Sequence, residues 1–88
     1  MGENEDNLRG ETIDPARAAR AREIGGAIEN CLGRMLENRR RAVALYLQGH
    51  SVPETGAFLG WNLKRADNMV FRGMEDLRRC LAERRITP

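Results

Sequence analysis

Twelve residues in the second half of the chain, Ser51-Val-Pro-Glu-Thr-Gly-Ala-Phe-Leu-Gly-Trp-Asn62, constrain its fold more than any others. Ser51 with Glu54 three positions on is a capping box, in which each side chain can take up the other residue's backbone N–H. A short helix is predicted from Val52 to Leu59, with Phe58 and Leu59 pointing inward. Gly60 supplies the positive φ that stops it. Trp61 follows, and Asn62 caps a longer helix starting at Leu63. A short helix, a turn of about three residues containing glycine and a longer helix form a helix-turn-helix. The two helices of that motif cross steeply, so the fifth residue of the first must be small, and it is Gly56. The residue after the turn must be apolar to plug the corner, and it is Trp61. Ala66 and Met69 then pack the second helix inward. Thr55 stands where a larger aliphatic side chain is expected.

The remaining segments read as helices too. Asp14-Pro15 is an N-cap followed by proline at the first helical position. Ile24, Ile28, Cys31, Leu32, Met35 and Leu36 continue from it as one helical stripe. Gly25-Gly26 weakens that helix by about 1 kcal/mol per glycine relative to alanine, and would let another helix come close. A second helix is predicted from Asn38, its N-cap, to Gln48, with Val43, Tyr46 and Leu47 on its apolar face, Ala42 filling in and Gly49 beyond its end. The last helix carries Ala66, Met69, Val70, Gly73, Leu77, Cys80 and Leu81, and should reach about Glu83. Glu75 and Arg79 form an i,i+4 pair of favourable polarity. With no strand pattern or repeat, the fold class is all-α. The expected architecture is a four-helix domain over residues 15–88 with a C-terminal helix-turn-helix, of the winged-helix-like or homeodomain-like DNA-binding class without a wing. Residues 1–14 read as an acidic flexible linker or tail.

Composition narrows the function. The 88 residues hold four aromatics, so one small and mostly aliphatic core is expected. No apolar run approaches the ~20 residues of a membrane span, and Met-Gly-Glu-Asn-Glu-Asp does not resemble a signal peptide; a soluble, cytoplasmic protein is the expectation. Cys31 and Cys80, the two cysteines, are expected to be buried thiols rather than a disulfide. One histidine and two cysteines without CxxC or HxxxH spacing argue against a structural zinc site, and no cofactor is called for. There is no GxGxxG, Walker A or GxSxG motif, and no nucleophile–base pairing, so the chain is not read as an enzyme.

The net charge of +2 conceals an asymmetry. Residues 1–14 carry −4 and the remainder +6, which suggests a polyanion partner. Arg39, Arg40 and Arg41 crowd the first turn of the second helix, where cations oppose the helix dipole. They serve either a ligand or merely a solvated face. The outward residues at the start of the last helix are Lys64, Arg65, Asn68 and Arg72, with Asp67 among them. In a DNA reader that half-helix enters the major groove. Lysine and arginine can meet phosphates or guanine O6/N7, and Asn68 can pair with adenine N6/N7. The Ser51-Val-Pro turn adds backbone N–H groups that could face a phosphate. A plain hairpin in a four-helix bundle satisfies the same apolar pattern, and only this outward face separates the two.

Residues 40–61, Tyr46-Leu-Gln-Gly-His-Ser51 and Leu59-Gly60 within them, followed by Arg72 and Leu77-Arg-Arg79, resemble region 4 of the sigma-70 family, extracytoplasmic-function type. The likeness spans residues 14–83. It implies binding to the −35 promoter element through the last helix, docking on the RNA polymerase β flap through another face, and masking by an anti-sigma factor. By position it implies that Arg65, Asn68, Phe71 and Arg72 face double-stranded promoter DNA. Asn62, Ser51 and Arg39–Arg41 would lie near phosphates. The family commonly has a basic-Ser-basic triplet where this chain has Asp67-Asn-Met69, and Pro53 and Thr55 are also atypical. The family's domain 2 is missing, so the chain is expected to be either a fragment, with residues 1–14 the end of an interdomain linker, or a free-standing region-4-like protein, the fragment being favoured. The alternative function is a protein-interaction module that binds the flap or an anti-sigma factor without reading DNA. A helix-turn-helix dimer on a palindrome ranks lower, since no dimerisation helix is evident and a monomer is expected.

Overall fold

A computed structural model of the protein describes residues 14–85. The acidic segment before Asp14 and the last three residues lie outside this range. Four helices follow one another: α1 (Pro15–Gly33), α2 (Glu37–Leu47), α3 (Val52–Leu59) and α4 (Leu63–Glu83). No strand occurs among the described residues.

The helix starts follow their local chemistry. Asp14 accepts the Ala16 N–H at 3.1 Å, with Pro15 at the first helical position. The α3 capping box closes from both sides, Ser51 N–H donating to Glu54 Oε1 at 2.9 Å and Glu54 N–H to Ser51 Oγ at 3.2 Å. Asn62 accepts the Arg65 N–H at 2.8 Å. The start of α2 differs from expectation. Asn38 lies inside the helix, Leu36 is the flanking residue without a side-chain cap, and Glu37 opens the first turn. A carboxylate there suits the helix dipole and pairs with Arg41 one turn on. Helix α1 also stops earlier, at Gly33. Met35 and Leu36 form the connection to α2, Met35 buried and Leu36 exposed.

The core lies where α1, α2 and α4 meet. Cys31, Met35, Val43 and Leu77 form its centre, flanked by half-buried Ile28, Leu32, Met74, Cys80 and Leu81. Cys31 and Cys80 are joined as a disulfide with Cα atoms 5.9 Å apart, which corrects the expectation of free thiols. Their separation of 49 residues spans two whole helices, so only the tertiary packing of α1 on α4 reveals that they meet. Tyr46, Leu47 and Phe58, expected inward, are exposed, and Ala42 and Val43 carry the inner face of α2 instead. The ring of Phe58 rests edge-on against His50 at 4.9 Å between centroids. Arg79 leans toward Asp76 at 3.6 Å rather than toward Glu75.

Glycine marks the close approaches, though not where Gly25-Gly26 suggested. A Cβ on either of those would meet nothing within 4 Å. A Cβ on Gly73 would lie 2.3 Å from Val43 Cγ2 and 3.1 Å from the Arg39 carbonyl oxygen, so α2 crosses α4 at this residue.

Thr55 is fully buried and its hydroxyl has no hydrogen-bond partner among the described residues. A buried unpaired polar group costs about 1–3 kcal/mol. Valine has the same shape without that cost. Thr55→Val should therefore raise stability by about 1 kcal/mol, measured by urea denaturation. A variant less stable than the parent would show that the hydroxyl is satisfied in solution.

Candidate nucleic-acid interface

The turn between α3 and α4 sets the pose of the candidate interface. Gly60 adopts φ 73° and Trp61 N–H donates to the Gly56 carbonyl at 2.8 Å. A Cβ on Gly56 would sit 3.0 Å from the Trp61 carbonyl oxygen and 3.1 Å from Ala66 Cβ. The steep crossing therefore depends on glycine here, as the motif requires. Ala66, Val70, Gly73 and Leu77 face the interior along α4, with Met69 half-buried.

This inner stripe leaves Lys64, Arg65, Asn68, Phe71 and Arg72 exposed together on the outer side of the first half of α4. Three of them are held before any ligand arrives. The Arg65 guanidinium lies 4.7 Å from the centroid of the Trp61 ring, a cation–π distance. Arg72 Nε donates to Asn68 Oδ1 at 3.2 Å. That bond leaves the Asn68 amide N–H groups and the rest of the Arg72 fork free to donate. Asn62 spends only its carbonyl oxygen on the cap, so its NH₂ is also available.

The α3 N-terminus offers less than the sequence suggested. The capping box consumes the N–H groups of Ser51 and Glu54, Thr55 N–H goes to the Ser51 carbonyl, and Pro53 has none. Val52 N–H and the Ser51 hydroxyl proton remain to meet a phosphate. The hydrogen bond from the Ser51 amide lowers the Glu54 carboxyl below its ordinary pKa, and nearby His50 adds to the effect. By linkage the box is fully formed above the ordinary carboxylate range, and is lost as pH falls through the lowered value.

The three arginines of α2 part ways. Arg39 donates to Asp76 at 2.8 Å, both side chains about a quarter exposed, and so ties α2 to α4. Arg41 pairs with Glu37 within its own helix. Arg40 is half-buried and enters no ion pair among the described residues. The structural use of Arg39 went unread because Asp76 lies 37 residues away. A second feature that local sequence does not reveal is a groove of about 270 Å³ lined by Tyr46, Val52, Asp67, Val70, Phe71, Met74 and Arg78. The unexpected exposure of Tyr46 is part of it.

A helix-turn-helix with an exposed cationic face on its second helix defines a DNA-binding domain of the transcription-factor class. The family model for sigma-70 region 4 matches residues 25–77, well over half of the chain, and the protein belongs to that family. Neither the comparison with curated proteins nor that with solved structures found a match. The family is a non-enzymatic domain type concerned with promoter recognition and RNA polymerase interaction. No helix among the described residues is long and apolar enough to cross a membrane, and no cluster of potential metal ligands occurs among them.

Proposed function

We propose that this domain is the −35-reading, C-terminal domain of an extracytoplasmic-function sigma factor. The observation that carries the reading is the single exposed face formed by Lys64, Arg65, Asn68, Phe71 and Arg72 on a correctly turned second helix. The first half of α4 enters the major groove. Arg65, braced by Trp61, and Arg72 with Asn68 reach base edges or phosphates. Phe71 can contact a thymine methyl group. Ser51, Asn62 and Arg40 meet backbone phosphates, with Arg39 and Arg41 contributing field from within their ion pairs. The monomer, being one small module, binds with Kd about 10⁻⁶ M or weaker. Each phosphate contact adds about 0.9 to the log–log salt slope.

Replacing Arg65 and Arg72 together by alanine tests the reading. We expect loss of −35 duplex binding in fluorescence anisotropy and a salt slope shallower by about 1–2, with flap binding unchanged. A salt-independent affinity of the parent domain would sink the mechanism.

One observation favours a second reading. The mixed polar and apolar groove between α2, α3 and α4, with Asp67 and Arg78 in its lining, offers a surface for the polymerase flap or an anti-sigma factor. If the double variant keeps full promoter activity, protein docking rather than DNA reading is the domain's contribution.

A further inference from the structure

We propose that the Cys31–Cys80 bond is a thiol-exchange site that switches α1 between docked and released, its substrates being small thiols and their disulfides. The compartment argument rests on the family reading above. A domain acting on promoter DNA and RNA polymerase works where the genome is, and small thiols and thioredoxins keep such compartments reducing. A disulfide in such a protein is characteristically transient and redox-sensing rather than a permanent staple.

The surroundings suit exchange. Cys31 is buried at 2% exposure, whereas Cys80 is half-buried. Both border an open cleft of about 240 Å³ rimmed by Arg34, Asp76, Arg79 and Glu83. Two guanidinium groups and two carboxylates balance at the rim, so its charge does not bar an anionic thiolate. Attack on Cys80 Sγ forms a mixed disulfide there and breaks the Sγ–Sγ bond. The electron pair leaves on Cys31 Sγ, which takes a proton from water. A second thiolate attacks the small-molecule sulfur of the mixed disulfide and releases Cys80 as thiolate. Overall the protein disulfide gains two electrons and two protons, and two thiols become one small-molecule disulfide. Oxidation runs the same steps backwards.

The bond has leverage because α1 has little else to hold it. Ala27 and Cys31 are its only buried residues. Ile28 and Leu32 add half-buried contacts, and Arg84 reaches Asn30 at 3.4 Å. The link closes a segment containing all of α2 and α3. Opening a loop of this length lowers the folding equilibrium constant by about a thousandfold. Helix α1 releases first and uncovers Ile28, Leu32, Leu77 and Leu81. The α3–α4 turn, packed through Gly56 and Ala66, is left in place.

The test uses the full chain equilibrated in buffers of graded reduced-to-oxidised dithiothreitol ratio. Thiols are trapped with iodoacetamide and counted by mass, amide exchange is followed in each state, and −35 duplex binding is measured in parallel. We expect one transition between zero and two alkylated cysteines. Exchange across α1 should be faster when reduced, while the α3–α4 turn is unchanged. Cys31→Ser should behave as the reduced chain in every buffer. The switch is overturned by two alkylated cysteines in fully oxidised buffer, by a bond that resists excess dithiothreitol, or by equal α1 protection in both states. A chain that passes the titration yet never binds DNA supports the switch and overturns the promoter reading instead.

Discussion

Replacing Gly73 by alanine should destabilise the domain, although helix propensity alone predicts the reverse. Alanine is favoured over glycine in a helix interior by about 0.8–1 kcal/mol. Gly73 lies in the middle of α4, and a Cβ there would stand 2.3 Å from Val43 Cγ2 and 3.1 Å from a backbone carbonyl of α2. Val43 is fully buried, and a β-branched side chain has little rotamer freedom with which to yield. The two helices must separate, and overpacking of this kind costs about 1–3 kcal/mol or more. Gly73→Val should reach the upper end of that range. At about 0.05–0.15 kcal/mol per residue a domain of this size has roughly 4–13 kcal/mol in reserve, so that variant should lose a substantial share of its stability. Val43→Ala removes the obstructing methyl. Combined with Gly73→Ala it should be less destabilised than the sum of the single variants, by about 1–3 kcal/mol in a urea double-mutant cycle. A Gly73→Ala protein as stable as the parent, or more so, would falsify the tight crossing.

Gly73 also shows where a single sequence stops being legible. It stands in the apolar register of α4, and periodicity assigns it to the inner face correctly. Nothing local says which helix passes over it, and Gly25-Gly26 advertise a close approach that α1 does not make. The helix-turn-helix was readable because its constraints are local: Ser51 to Glu54, Gly60 to Asn62 and Gly56 to Trp61 are all close in the chain. The pairings that organise the other half of the domain are distant. Arg39 meets Asp76 across 37 residues and Cys31 meets Cys80 across 49. Composition counts those residues but cannot match them.

The candidate interface divides in the same way. Exposure of Lys64, Arg65, Asn68, Phe71 and Arg72 follows from helical phase once Ala66 and Val70 are known to face inward. The bracing of Arg65 on Trp61 does not follow, because the motif accounts for Trp61 wholly as the plug of the corner. It does both, half-buried with its ring still offered to a cation. Apolarity predicts an inward Phe58, yet α3 has too few turns to bury it together with Leu59, and it rests on His50 instead. An eight-residue helix buries one narrow stripe, and here Thr55 and Gly56 occupy it.

Gly56→Leu should abolish DNA binding while leaving much of the helix content in place. The atom nearest a Cβ at Gly56 is the Trp61 carbonyl oxygen at 3.0 Å, and the next is Ala66 Cβ at 3.1 Å. The carbonyl is backbone, held by the αL turn at Gly60, and cannot rotate aside as the end of a side chain could. Alanine at 56 asks for a shift of a few tenths of an ångström, and its cost is partly offset by better helix propensity, leaving about 1 kcal/mol of destabilisation. Leucine must drive α3 off α4, at about 3 kcal/mol or more. The core of α1, α2 and α4 lies beyond this crossing, built on Cys31, Met35, Val43 and Leu77, so far-UV circular dichroism should retain most of its helical signal. Binding should respond more sharply than stability, because moving α3 displaces Ser51 and Asn62 relative to Arg65, and misplacement by 1 Å breaks a hydrogen bond. Anisotropy with a −35 duplex should show at least a tenfold loss for leucine, equivalent to about 1.4 kcal/mol, and less for alanine. Equal DNA affinity for glycine, alanine and leucine at 56 would show that the crossing of α3 over α4 does not set the reading face.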